Sequence, residues 1–133
     1  MPVVYLVVPC YNEEPVLPET NRQLTDKLRR MIAEGTADAG SRVVYVDDGS
    51  RDRTWELIEA FHRADPMAEG IKLAHNVGHQ HALLAGLLTV RELADCVVSL
   101  DADLQDDVGA LDAFLEQFGT GCEIVYGVRR RRD

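Results

Sequence analysis

An α/β fold is predicted, with a mostly parallel five-stranded sheet and helices on both of its faces. Two observations carry this expectation. Short runs rich in β-branched residues alternate with longer stretches whose apolar residues recur at helical spacing. Each of the first four apolar runs is also followed by a polar cluster, as happens where loops leave the C-terminal edge of a parallel sheet. Strand-helix alternation at this spacing implies right-handed crossovers and a Rossmann-like layer.

The first strand is expected at VVYLVV (3–8), where valines surround Tyr5 and Leu6. A helix follows on Leu17, Leu24, Leu28, Met31 and Ile32, which share one helical face, and AEGTADAGSR (33–42) reads as a polar turn region. The second strand is RVVYV (42–46), followed by a helix on Trp55, Ile58 and Phe61 with Ser50 or Asp52 as its cap. IKLA (71–74) is the third strand, leading to a helix on Leu84, Leu87 and Leu88 capped by Asn76. CVVSL (96–100) is the fourth strand. A last helix on Val108, Leu111, Leu115 and Phe118, capped by Asp106 or Asp107, joins it to a fifth at EIVYG (123–127). No internal repeat, low-complexity segment or linker interrupts the pattern.

With 133 residues, 46% hydrophobic and 28% charged, the chain has the size and composition of one globular domain, taken as 1–133. No apolar stretch reaches the ~18 residues of a membrane helix. The N-terminus MPVVYLVVPCYN also lacks the basic flank and cleavage site of a secretory signal, so a cytoplasmic location is expected. Cys10, Cys96 and Cys122 are odd in number and without C-x-x-C spacing, which argues against a disulfide framework. Residues 1–128 carry 10 Lys+Arg against 22 Asp+Glu, and this acidic body disfavours nucleic acid, whose phosphates require cationic partners. The closing RRRRD is the exception.

The polar clusters PCYNEE (9–14), DDGS (47–50), HNVGHQ (75–80) and DADLQDD (101–107) all belong to one sheet edge. Carboxylates gathered there repel one another unless a cation balances them. Asp101 and Asp103, two apart in extended chain, can project to one side, with Gln105 next at the same spacing. Such hard oxygen donors suit Mg²⁺ or Mn²⁺, which take one or two carboxylates and complete their shell with substrate phosphate and water. Helix capping explains Asp106 and Asp107, but it does not require acids at the strand end as well. No G-x-x-x-x-G-K-[ST] or G-x-G-x-x-G loop is present, so phosphates would be held by the metal and by the arginines of GVRRRR (127–132). His75, His79 and His81 lack a companion cysteine or acid at tetrahedral spacing, which disfavours zinc.

In order along the chain, VVPCYNEE, VVYVDDGSRDRT, NVGHQHALLAGL, SLDADLQDD and IVYGVRRRR resemble the family 2 glycosyltransferases of GT-A fold. The likeness is to their polyprenyl-phosphate branch, which includes dolichyl-phosphate mannose synthases and bactoprenol glucosyltransferases. The resemblance implies a metal-dependent inverting transfer of a hexose from a UDP- or GDP-linked sugar to a polyprenyl phosphate. It places Pro9, Tyr11, Glu13 and Asp48 around base and ribose, with Asp47 beside them and Asn12, Gly49, Ser50 and Ala102 in the same nucleotide-binding segments. Asp101 would also contact the nucleotide, and Asp103 and Gln105 would hold the metal, with Asp101 direct or through water. Arg129, and less closely Arg132, match the arginine that faces the donor or lipid phosphate. Asp101, Asp103 and Arg129 are therefore the expected catalytic residues. No base residue is named, because a polyprenyl phosphate is already ionised at neutral pH.

Family members continue past this region with an acceptor-side segment. The chain therefore reads as the donor-binding part of a longer enzyme acting at the cytoplasmic membrane face, and apolar surface left uncovered would favour homo-oligomers. The alternative is a noncatalytic nucleotide or nucleotide-sugar binding module without an acceptor site. A response-regulator domain is set aside, since its acidic pair follows the first strand and its acceptor Asp the third.

Overall fold

A computed structural model of the protein describes residues 1–103 and 124–128. The elements run β1 (Val4–Cys10), α1 (Leu17–Glu34), β2 (Arg42–Asp47), α2 (Thr54–Ala64), β3 (Ala68–Lys72), α3 (His79–Val90), β4 (Cys96–Leu100) and β5 (Ile124–Val128). The expected helix on Val108, Leu111, Leu115 and Phe118, and the site candidates Gln105, Arg129 and Arg132, lie outside the described residues.

The strands form one sheet in the order β3-β2-β1-β4-β5, and each neighbouring pair runs parallel. From β1 the chain steps outward to β2 and β3, then returns through α3 to β4 on the far side. Right-handed crossovers that reverse direction place their helices on opposite faces. Accordingly Leu6, Val8 and Tyr45 pack with Leu17, Leu24, Leu28 and Met31 of α1 and Ile58 of α2. Val7, Val44, Val46 and Val97, which point the other way, pack with Ala82, Leu87 and Val90 of α3. All seven residues of β1 are buried, as a central parallel strand requires, and each such aliphatic side chain contributes about 1.5–3 kcal/mol.

Three local expectations are corrected. β3 is Ala68–Lys72 rather than 71–74, because an edge strand buries only alternate residues and AEGIK carries no continuous apolar run. The buried face of α3 is Ala82, Gly86, Leu87 and Val90, whereas Leu84 and Leu88 are 49% and 53% exposed. The cause is a close approach: a Cβ on Gly86 would lie 2.7 Å from Val7 Cγ1 and 2.9 Å from Val46 Cγ2, so the small-residue side of α3 meets the sheet. Finally, Cys10 is a buried thiol but Cys96 is disulfide-bonded. Spacing along a chain does not report a sulfur that folding brings within bonding distance.

Candidate functional site

The order of the strands reverses between β1 and β4, and the crevice at such a switch point is where open α/β sheets bind ligands. A cavity of about 180 Å³ lies at that edge, lined by Pro9, Cys10, Tyr11, Glu13, Asp48, Asn76, Gly78 and His79. A larger one of about 330 Å³, lined among others by Val44, Glu69, Val90 and Leu93, sits at the opposite end of α3, away from the carboxylates.

Two loops are laced together to shape this edge. Asn12, in a left-handed conformation with φ 54°, donates its N–H to Ser50 Oγ at 2.9 Å and accepts the Arg51 N–H on Oδ1 at 2.8 Å. Glu13 N–H donates to Thr54 Oγ1, Glu14 N–H to Asp52 Oδ2, and Arg53 N–H to Glu14 Oε1. Asp52 also accepts the Thr54 N–H and hydroxyl on Oδ1 and so ties down the start of α2, although the N-cap position itself is Arg53, with no side-chain cap hydrogen bond. Burial works to raise its carboxyl, but these hydrogen bonds hold it below the usual range. Ser50 does not cap α2; its hydroxyl serves Asn12.

The third loop is fixed by Asp48, which is nearly inaccessible at 3% exposure. Its Oδ1 accepts the Val77 N–H at 2.8 Å, and its Oδ2 accepts the Gly78 N–H and Asn76 Nδ2 at 3.1 Å each. Asn76 was expected to cap α3; instead its amide also donates to the Asp48 carbonyl at 3.0 Å, and α3 begins after Gly78 with no side-chain cap.

The acids converge from β1 and β4. Burial raises the Glu13 carboxyl above its ordinary value, and Asp103, Asp101 and Asp52 raise it further, which puts Glu13 within electrostatic reach of the pair following β4. Burial likewise pushes the Cys10 thiol well up, with Glu13 and Asp47 adding to it, so this sulfur is an inert part of the wall. His79, at the start of α3, brings Nε2 to 3.9 Å from Asp101 Oδ1. The Thr20 hydroxyl of α1 donates to the Ala102 carbonyl at 2.5 Å, anchoring the turn between the two aspartates.

Among the described residues no three His, Cys, Asp or Glu side chains form a group that could hold a metal by themselves. Asp101 and Asp103, with the Glu13 carboxyl in their field, nevertheless fit a hard divalent cation that draws its remaining ligands from a diphosphate and water.

Of the residues expected around a nucleotide, Pro9, Tyr11, Glu13 and Asp48 share the cavity. Asn12 and Ser50 spend their polar groups on each other's loops, while Asp47 is buried and accepts the Ser50 N–H at 3.3 Å. Gly49 stands at the contact of two turns: its φ is 71°, and a Cβ there would lie 2.5 Å from the Asn76 nitrogen. Sequence reasoning missed Asn76 and His79 as wall residues and Thr20 and Thr54 as anchors. The position of His79 directly after a turn glycine was the one available signal.

A family model described as glycosyl transferase family 2 matches residues 5–133. An uncharacterized glycosyltransferase, YkoT of Bacillus subtilis (strain 168), is 51% identical over 98% of this chain and 39% of its own length. An undecaprenyl-phosphate 4-deoxy-4-formamido-L-arabinose transferase of Pseudomonas paraeruginosa is 38% identical over 98% of the chain and 37% of its own length. The chain thus spans well under half of these curated relatives. Among solved structures, a mannosyltransferase from Pyrobaculum calidifontis in complex with GDP-Man and Mn²⁺ superposes with a TM-score of 0.60 at 28% identity, over 77% of this chain and 28% of that one.

Proposed function

The chain belongs to glycosyl transferase family 2, and from that premise we propose that it forms the donor side of a metal-dependent inverting enzyme. The enzyme transfers a hexose from a nucleoside-diphosphate sugar to a polyprenyl phosphate at the cytoplasmic face of a membrane. The carrying observation is the cavity at the switch point, walled by Pro9, Tyr11, Glu13, Asp48 and His79, with His79 Nε2 3.9 Å from Asp101 Oδ1. Polyprenyl-phosphate acceptors are favoured by the undecaprenyl-phosphate transferase among the relatives, and a Mn²⁺-assisted nucleotide donor by the GDP-Man complex among the structural neighbours.

Each expected site residue then has a task. The cavity, at about 180 Å³, is below the usual size of a whole ligand site and takes only the base and ribose, against Pro9 and Tyr11. Asp101 and Asp103, with Gln105, would hold Mg²⁺ or Mn²⁺, which when bound would supply charge stabilisation to a diphosphate leaving group. Arg129, and less closely Arg132, would be the matching positive group for phosphate. Asp101 is kept in place by the turn that Thr20 anchors and by its neighbour His79. The acceptor phosphate is already a nucleophile, so no side chain has to remove a proton from it.

The test is calorimetric titration of the chain with UDP and GDP, each with Mn²⁺ and with EDTA, together with Asp103→Asn. Metal-dependent binding of one diphosphate that the variant loses is the expected result. Binding that is indifferent to EDTA, or unchanged in the variant, sinks the metal-bridged donor site.

A further inference from the structure

We propose that the open side of β3, with the cavity of about 330 Å³ beside it, is a docking site for an extended basic peptide of a partner protein. The peptide's main chain pairs with Gly70 and Lys72, and its lysine or arginine side chain reaches Glu69. The site stands at the end of the sheet, away from the switch point, and does not depend on the donor-site reading.

β3 ends the sheet, so only one of its sides is paired. In a parallel pair, the N–H and C=O of one residue point the same way and those of the next point the opposite way. Val43 N–H donates to Met67 O and Leu73 N–H to Asp47 O, which turns Glu69 and Ile71 toward β2 and Ala68, Gly70 and Lys72 outward. Ala68 is provided for, since its N–H donates to Asp65 O and its carbonyl accepts from His62 Nδ1. Gly70 and Lys72 are exposed, and their outward main-chain groups have no partner among the described residues. Such an edge is a template for another strand.

The cavity lies against the same side. His62 of α2 walls it from one face of the sheet, Val90 and Leu93 wall it from the other, and Glu69, Gly70 and Ile71 lie between. Only one face admits a side chain. A Cβ on Gly70 would lie 2.4 Å from Ile58 Cγ2 and 3.1 Å from Trp55, so α2 is already closed onto β3. Toward α3 the strand presents Glu69 and Ile71, next to Val44 and Val90. The space reaches the size range of ligand sites, and its apolar walls suit an alkyl stem.

Glu69 decides what stands at the end of that stem. It is half-buried and, among the described residues, has neither a hydrogen bond nor an ion pair. Neighbouring cations are engaged elsewhere: Arg42 Nη1 donates to the Ala39 and Ser41 carbonyls, and Lys72 Nζ stands 5.8 Å over the Trp55 ring. A lysine or arginine of the incoming strand supplies the missing charge. The net charge of -9 draws a basic partner and opposes a second copy, which would bring its own Glu69 to the joint.

The experiment titrates the isotope-labelled chain with acetylated and amidated Thr-Val-Thr-Lys-Thr-Val-Thr and follows its backbone amides by NMR. Parallel titrations use the peptide with Glu at its centre, the peptide N-methylated on alternate amides, and butylamine. Saturable shifts at Gly70, Lys72 and Val90 are expected, with Tyr11 at the other cavity unmoved. Glu69→Gln should weaken binding about 3-fold, as for a partly screened ion pair. Reversing the central charge should weaken it about 10-fold, since attraction becomes repulsion. Methylation should abolish the shifts, because it removes the main-chain pairing. The proposal is overturned if no β3 amide shifts, if the central Glu is tolerated, or if the methylated peptide binds as well. Shifts at Gly70 reproduced by butylamine assign the cavity to a small cation and also overturn it. So does a sedimenting dimer whose dissociation releases the Gly70 amide to exchange, which assigns the edge to a second copy.

Discussion

The hydroxyl of Thr20 in the first turn of α1 donates to the carbonyl oxygen of Ala102 at 2.5 Å, joining a helix that follows β1 to the turn that follows β4. Thr20 and Ala102 are both nearly inaccessible, at 3%. A Thr20→Val variant keeps the shape and leaves that carbonyl without its donor. The expected loss of stability is about 1–3 kcal/mol, the cost of a buried group left unsatisfied. Because the turn carries Asp101 and Asp103, affinity for Mn²⁺ in the presence of UDP or GDP should fall too. Urea denaturation and metal titration check the two effects separately.

Glu13 supplies a pH dependence. Its folded-state carboxyl is raised by burial and then by Asp103, Asp101 and Asp52 above the ordinary value of 4.5. For an acid shifted upward, the stability contributed by the protonated form is fully present below the unfolded value and is lost as pH rises through the folded one. In the metal-free chain, Glu13→Gln should therefore gain relative to the unaltered protein as pH climbs from about 4.5 toward neutrality. Denaturation midpoints at several pH values provide the measurement, and a difference that stays constant across that range would contradict it.

Gly86 lets α3 rest on the sheet, with Val7 and Val46 where a side chain would have to go. Gly86→Val should cost about 1–3 kcal/mol through overpacking, even though valine is no worse than glycine as a helix former. A thermal or urea midpoint equal to that of the unaltered chain would show that α3 can lift without penalty.

Much of this architecture was legible in the chain. Valine-rich runs of strand length could be buried only in a two-sided sheet, and four of the five expected strands fall within two residues of their structural bounds at either end. β3 was displaced because AEGIK is an edge strand whose burial comes from partners rather than from composition. α3 misled for a related reason. It is apolar on every side, so its periodicity could not say which face the sheet would take. The site was legible as residue types but not as roles: nothing in DDGS tells that the second aspartate accepts hydrogen bonds from the turn at 76–78.

By itself the sequence determined the alternation of elements, the acidic sheet edge and the likeness to a family, because each is written in neighbouring residues or in short motifs. Tertiary structure decided which of those polar groups face a cavity and which are consumed in joining loops. Hydrogen bonds such as Asp48 to Val77 or Thr20 to Ala102 span 29 and 82 positions. Their partners meet only after the sheet has formed, and no local pattern encodes a contact that the packing of distant elements creates.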